Sequence, residues 1–392
     1  MRIVDVNEYY TPTGGGVRTY LDRKMGIMAD LGHELIVIAP GREDSVEERP
    51  GGGTIYWVKA PRLPFDRSYG LFWDAEPVTR LLDKLDPDVV EASSPWRLAW
   101  IIGRWQGRAL KVYFAHNDNM AAYAARWLER VADMDKVERW FAWYTRYQAS
   151  FLQHYDAFVT NGTTLAKRHA RRGLTVHAAM PLGIDRGYFS PALRDERLRA
   201  SLLEQCGLGP DAHLLIGVGR HHPEKRWPTV IDAVEAAGDT MPVGMILLGN
   251  GVDREKLKRR VADSPHIRLF RPVYDRLRFA QIMASADALI HGSDAEPFGL
   301  VALEAVASGL PLIVPDEGGA ADIAEPPFSE QYRARDARSC AAAIERLFQR
   351  EPAILRAACL HAANKVRTDR DHAIALVDYY SELIDGKARA AA

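Results

Sequence analysis

Glu296 and Glu304 bracket the stretch Glu296-Pro-Phe-Gly-Leu-Val-Ala-Leu-Glu304, which follows an apolar run, Ala288–His291, and a short polar loop. A helix is expected to open at Pro297, because a proline has no N–H to lose at the first helical position. Phe298, Gly299 and Leu300 then present backbone N–H groups at the positive end of that helix, a ready site for a phosphate or pyrophosphate. Gly299 allows close backbone approach. Glu304 lies two turns on, roughly 10 Å along the axis at about 1.5 Å per residue. A carboxylate there can accept both hydroxyls of a ribose, and Glu296 then falls on the sugar side of the same ligand. Two acids at this spacing also arise as a helix cap and an exposed helical residue, so the pair gains meaning only from its surroundings.

Three further clusters supply them. Leu214–Val218 runs into a glycine turn that carries Arg220, with Lys225 shortly after. Two fixed cations at a strand end neutralise a leaving phosphate, Arg through a planar fork and Lys as a compact charge. A solvated basic loop is the plain alternative. Thr13-Gly-Gly-Gly16 follows the first strand and opens a helix, so Gly15 and Gly16 let the backbone approach a phosphate or sugar. The run does not complete a nicotinamide-nucleotide fingerprint, since Thr19 stands where the last glycine belongs, and no Walker loop is present. His116, just past the strand Val112–Ala115, could hydrogen-bond a sugar, take part in proton transfer, or be a structural histidine.

Strand ends must hold these groups, and the chain supplies them. Ile3–Val6, Leu35–Ala39, Thr54–Val58, Val89–Ala92, Val112–Ala115 and Ala157–Thr160 read as strands. Helices are expected over Val17–Leu31, Val78–Leu85 and Thr164–Arg172, and over most of 119–153. After the Pro/Gly-rich connection Pro181–Pro191 the pattern restarts. Strands are expected at Leu214–Val218, Gly244–Leu248, Ile267–Phe270, Ala288–His291 and Leu312–Val314. Helices are expected over Trp227–Ala237 and Asp253–Ala262, from Leu277, Pro297 and Ser339, and over Asp371–Ile384. Alternating strands and helices predict βαβ units and parallel sheets. The α/β fold expected is two doubly wound domains facing across a cleft, with ligands beyond the carboxyl ends of the strands.

Composition sets the limits. With 392 residues, 47% hydrophobic and 26% charged, the chain is ordinary for two globular domains. A formal charge of −1 and the absence of any nucleic-acid motif argue against a nucleic-acid partner. Cys206, Cys340 and Cys359 read as reduced thiols. There is no signal-peptide core, and no apolar run approaches the roughly 18 residues of a membrane span. A cytoplasmic protein is expected, with contact at the inner face of a membrane left open. The triplets Asp86/Asp88, Asp133/Asp135 and Asp369/Asp371 read as solvated surface, no metal site is expected, and no His spacing fits one.

Eight of the nine tryptophans precede residue 150. Trp96, Trp100 and Trp105 form one group, and Trp127, Trp140 and Trp143 another among Arg126, Arg130, Arg139 and Arg146. Aromatic faces stack on sugars, and Trp with Arg suits a membrane interface. Helix packing explains the same residues.

Taken together, these motifs resemble the retaining glycosyltransferases of family four, which have the GT-B fold. The resemblance covers nearly the whole chain. Glu296 and Glu304 look like the family's E-x7-E motif, and Arg220…Lys225 like its donor-phosphate loop. Leu247–Gly251 looks like its G-x-G turn, Arg271–Val273 like the loop bordering the nucleobase, Gly15-Gly16-Val17 like its glycine loop, and Met180–Pro191 like its interdomain connection. The resemblance implies that Arg220 and Lys225 hold the diphosphate, Glu304 the ribose and Glu296 the transferred sugar. It places Val273 at the base and His116 beside the reacting centre, with retention and without a metal. It also implies a first, acceptor-binding domain over 1–187, a donor-binding domain over 188–370, and a last helix, about 371–392, that crosses back to the first. Arg226 and Trp227 depart from it, since the family usually has a glycine after its lysine, and His221-His222 is also unusual.

The expected function is transfer of a hexose from a UDP- or GDP-linked sugar to a sugar, lipid-linked or small-molecule acceptor. No cofactor is expected beyond the donor itself. Another GT-B enzyme, such as a sugar-nucleotide epimerase, and a non-catalytic nucleotide-sugar-binding protein are the alternatives.

Overall fold

A computed structural model of the chain describes residues 1–11, 16–62, 69–117, 136, 139–296 and 298–391. Thr13, Gly14, Gly15, Arg126, Trp127, Arg130, Asp133, Asp135, Pro297 and most of the expected helix over 119–153 lie outside the described residues.

Two compact units divide the chain, Met1–Pro181 with Asp369–Ala392, and Leu182–Thr368. The division falls earlier than residue 187 because Leu182, Ile184 and Phe189 are buried, the last two in the core of the second unit.

In the first unit the strands are β1 (Arg2–Val6), β2 (Glu34–Gly41), β3 (Ser45–Glu48), β4 (Thr54–Lys59), β5 (Val89–Ala92), β6 (Leu110–Ala115), β7 (Ala157–Thr160) and β8 (Ala178–Ala179). They lie in the order β3-β4-β2-β1-β5-β6-β7-β8. All pairs are parallel except β3 with β4. The helices between them are α1 (Gly16–Asp30), α2 (Glu76–Leu85), α3 (Arg97–Arg104), α4 (Ala142–Leu152) and α5 (Thr163–Arg171). Parallel strands covered on both faces are largely apolar, which explains the runs Leu35–Ala39 in β2 and Val112–Ala115 in β6.

The second unit repeats the plan with β9 (His213–Val218), β10 (Val243–Leu248), β11 (Ile267–Phe270), β12 (Ala288–Ile290), β13 (Leu312–Pro315) and β14 (Ser329–Tyr332), in the order β11-β10-β9-β12-β13-β14. Its helices are α6 (Glu196–Gln205), α7 (Trp227–Gly238), α8 (Arg254–Arg260), α9 (Arg276–Ser285), α10 (Leu300–Ala307), α11 (Ala337–Phe348) and α12 (Pro352–Lys365). Successive side chains of β9 alternate between two cores. Leu214 and Ile216 meet Leu202, Met283 and Ala302, while Leu215 meets Trp227, Val230 and Ile344. The last helix, α13 (Asp369–Ala391), belongs to the first unit.

Both sheets reverse strand order at one place, between β1 and β5 and between β9 and β12. Loops leaving the carboxyl ends of such neighbours diverge and leave a crevice, the usual ligand site of this architecture. Register keeps those ends level: Val6 pairs Ala92 in one sheet, and Leu289 pairs Ile216 in the other.

Candidate active site

The richest chemistry stands at the β9/β12 reversal. Beyond β9, Gly219 turns the chain beside the Lys225 side chain, whose Cε would lie at ordinary contact distance, 3.4 Å, from a Cβ there. Pro223–Lys225 forms a single 3-10 turn. Arg226 then takes a left-handed conformation, φ 51°, and α7 begins. Buried Trp227 ties the loop down, its Nε1 donating to the Arg220 carbonyl at 2.9 Å. The Arg220 side chain is exposed, and Nη2 donates to Glu224 Oε1 at 2.7 Å.

From β12 comes buried His291. Its Nδ1 accepts from the Ser293 N–H at 3.2 Å, so Nε2 is the protonated nitrogen and donates to Glu296 Oε2 at 2.8 Å. Lys225 Nζ donates to the same oxygen at 2.5 Å. Burial pushes the Glu296 carboxyl up, but Lys225 and His291 outweigh it and hold the group well below the usual carboxylate range. The loop is pinned from outside as well. Arg335 donates to Asp294 Oδ2, Arg226 Nε stands 3.5 Å from Oδ1, and Gly319 N donates to the Glu296 carbonyl at 2.6 Å.

The helix after Glu296 begins later than expected. α10 opens at Leu300, not Pro297, because Gly299 is left-handed, φ 64°, and stands as its cap. A Cβ on Gly299 would come within 2.8 Å of the Gly319 carbonyl. Glu296 is therefore a buried ion-pair partner in the loop and not a helix cap. Glu304 sits about one turn, roughly 6 Å, into the helix instead of two. Its side chain is 13% exposed and faces Arg276 Nη2 at 3.7 Å. Phe298, Leu300 and Val273 are half-buried around this helix and the β11 loop.

The first unit holds the remaining residues. Gly16 opens α1 on the surface. His116 follows β6 and is buried, stacked on Phe114 at 4.7 Å between ring centres and edge-on to Tyr20 at 5.5 Å. Burial, with Lys24 and His372 nearby, pushes its pKa down to about 3, so at neutral pH it offers a neutral ring that can hydrogen-bond but is a weak proton acceptor.

Sequence reasoning misses several charged residues. Lys24 and Glu91 form a buried ion pair at 2.7 Å, and Tyr380 of α13 donates to Glu91 at 2.9 Å. Asp369, expected on the solvated surface, pairs with Arg23 at 3.2 Å and is 15% exposed. Glu8, at the β1/β5 reversal, accepts from Phe72 N at 2.6 Å, and burial pushes its carboxyl up to about 7. His221 is buried in the turn at Gly249 and Gly251, with no hydrogen-bond partner for either ring nitrogen. The one available signal is a polar residue inside or ending an apolar run: Asp5, Glu91 and His291 fit it, and His221 does not. Among the described residues, no group of three or more His, Cys, Asp or Glu side chains could hold a metal, and no helix is long and apolar enough to cross a membrane.

Two doubly wound units of this topology make up the GT-B fold. The solved sucrose-phosphate synthase from Thermosynechococcus elongatus has this fold, with a TM-score of 0.75 at 18% identity over 98% of this chain and 99% of that one. Residues 14–187 match the model for Glycosyltransferase Family 4, and residues 212–350 that for Glycosyl transferases group 1. The chain belongs to this family and is a glycosyltransferase. It is 29% identical over 316 residues, 80% of this chain and 79% of the relative, to a GDP-mannose-dependent alpha-(1-6)-phosphatidylinositol dimannoside mannosyltransferase of Mycobacterium tuberculosis. It is 29% identical over 332 residues, 83% of this chain and 82% of the relative, to a GDP-mannose-dependent alpha-mannosyltransferase of Mycolicibacterium smegmatis.

Proposed function

We propose that the chain transfers mannose from GDP-mannose to a hydroxyl of a glycolipid acceptor, with retention of configuration and without a metal. The observation that carries the reading is the Lys225–Glu296–His291 cluster at the β9/β12 reversal, where a sugar diphosphate has both a cation and an anchored carboxylate to meet. The donor and acceptor classes follow from the similarity to mannosyltransferases.

In this reading the diphosphate lies against Arg220, Lys225 and the N–H groups of Phe298, Gly299 and Leu300. Glu304 accepts the ribose hydroxyls and Val273 borders the base; in the first unit, Gly15 and Gly16 let the backbone approach a phosphate or sugar. Glu296, held ionised by its two donors, accepts hydroxyls of the transferred sugar. In the first unit, neutral His116 can offer one hydrogen bond to a sugar. The bond from the anomeric carbon to the diphosphate oxygen breaks as negative charge gathers on the leaving group beside the two cations. The acceptor oxygen bonds to that carbon on the same face, and its proton passes to the departing phosphate oxygen.

Exposed Trp140, Trp143 and Trp96, with exposed Arg139, favour peripheral membrane contact by the first unit, where a lipid-linked acceptor is presented at the cytoplasmic face. Trp105 does not contribute, because it is buried in the core and bonded to Asp83. Trp100 is half-buried beneath Arg104.

The test is mannosyl transfer or donor hydrolysis with GDP-mannose, followed as GDP release. Lys225→Ala and Glu304→Ala should each lower the rate by about 100-fold or more. Wild-type rates in both would sink the assignment.

A further inference from the structure

Arg276 is the first residue of α9, and its place there is set by a cap. Asp275 accepts from Arg278 N at 2.9 Å and fixes the first turn. The guanidinium lies 5.2 Å from the Tyr188 ring centre and 5.3 Å from that of Phe189. Phe189 is buried and edge-on to Phe279 at 6.0 Å, so this aromatic floor is itself fixed by the core. Rings on one side favour the cation and leave its donor edge to face elsewhere. That edge faces Glu304: Nη2 stands 3.7 Å from Oε1, inside ion-pair range and beyond hydrogen-bond reach. Nε and Nη2 are shielded from solvent and have no hydrogen-bond partner.

Unused donors that are shielded from solvent are unfavourable, and structures normally satisfy them. The Glu304 carboxylate is an acceptor a short movement away. A carboxylate has about four lone-pair sites, so a guanidinium on one edge does not exhaust its capacity to accept hydroxyls.

We propose that Arg276 is the positioning residue for Glu304, orienting its carboxylate so that both ribose hydroxyls of a nucleoside diphosphate are read at once. The inference rests on the donor reading above and adds to it how the ribose is recognised. Ribose binding draws the carboxylate and the guanidinium into hydrogen-bond contact. Recognition is of the sugar of the nucleotide, whatever its base.

The experiment is calorimetric binding of GDP and of 2′,3′-dideoxy-GDP to the full chain. Wild type should prefer the ribose form by about tenfold or more, the worth of a lost hydrogen-bond pair to a charged group. Arg276→Ala should cut that preference to about twofold, and Arg276→Lys should restore part of it. Arg276→Ala/Glu304→Ala should bind GDP no more weakly than Glu304→Ala alone, since the two residues act as one unit. A purely structural role would weaken both nucleotides equally and leave their ratio unchanged, which overturns the proposal. So would additive losses in the double variant. Should Arg276→Ala fail to fold, judged by circular dichroism, Arg276→Gln carries the same comparison. If wild type binds neither nucleotide, the donor reading itself is wrong and this inference falls with it. Binding of both with an unchanged ratio in the variants strikes the inference alone.

Discussion

Lys225 Nζ and Glu296 Oε2 stand 2.5 Å apart, and they reach each other from the two strands at which the sheet of the second unit reverses direction. Each side chain is 13% exposed, so the pair is largely withdrawn from water. Removing one member of such a pair leaves the other uncompensated. Glu296→Gln should therefore destabilise the fold by about 3 kcal/mol at pH 7, measured by urea unfolding. The sign of the pH dependence follows from the depressed folded-state pKa. The stabilisation is present above the unfolded carboxyl value of 4.5 and is lost as pH falls from there toward the folded value. The gap between wild type and variant should narrow steadily below about pH 4.5. A gap independent of pH would refute the assignment of the ionised pair.

Glu8 should behave in the opposite sense. Its folded pKa is about 7 against 4.5 unfolded, so what it contributes is intact below pH 4.5 and lost as pH rises through 7. Glu8→Gln keeps an acceptor for Phe72 N and removes the titration. Relative to wild type, the variant should gain stability between pH 5 and pH 8, by on the order of 3 kcal/mol. Denaturation midpoints that move in parallel over this range would contradict it.

Arg226 occupies a backbone position that glycine fills without strain. Arg226→Ala and Arg226→Gly both delete the contact with Asp294, so the difference between them isolates the backbone. The glycine variant should be the more stable by about 1 kcal/mol. Equal unfolding free energies would mean that the left-handed turn is not kept in solution.

Gly299→Ala combines a left-handed φ with a methyl group driven against the Gly319 carbonyl and Ile323. A loss of about 2 kcal/mol or more is expected. Because α10 would be displaced, protection against thermal unfolding by GDP should disappear as well. Retained thermal protection would show that the start of α10 does not form the phosphate site.

Trp140→Ala/Trp143→Ala should reduce partitioning onto anionic phosphatidylglycerol vesicles by about tenfold or more, the effect of two aromatic side chains no longer buried. Sedimentation with vesicles at low salt reads this directly. Undiminished binding would assign the two exposed tryptophans to another role.

The strands are legible because most are short apolar runs ending in glycine or a polar group, and their carboxyl ends point to Arg220 and Glu296. That alternation predicts two doubly wound α/β domains, and the GT-B class comes from the family resemblance that the motifs carry. Elements with polar sequences were not legible: β3 carries Glu47 and Glu48, and β14 reads Ser329-Glu-Gln-Tyr332, since edge strands need little apolar surface. The start of α10 was misplaced because Pro297 signals a first turn, whereas the left-handed Gly299 depends on packing against Gly319 and Ile323, which no local rule contains. Pairs such as Arg335 with Asp294, Arg276 with Glu304 and Lys24 with Glu91 join distant segments, and spacing carries no record of them.

Because α13 returns to the first unit, order of synthesis and order of completion differ. Residues 1–181 leave the ribosome first, yet the hydroxyl of Tyr380 that meets Glu91 and the ring of His372 that meets Tyr20 emerge only after the whole second unit. At about 5–20 residues per second the wait is on the order of 10–40 s. Throughout that interval the Tyr380 bond to Glu91 cannot form. The half of the protein that is born first is the last to mature, and the nascent chain holds a finished second unit while the first still waits for its final helix.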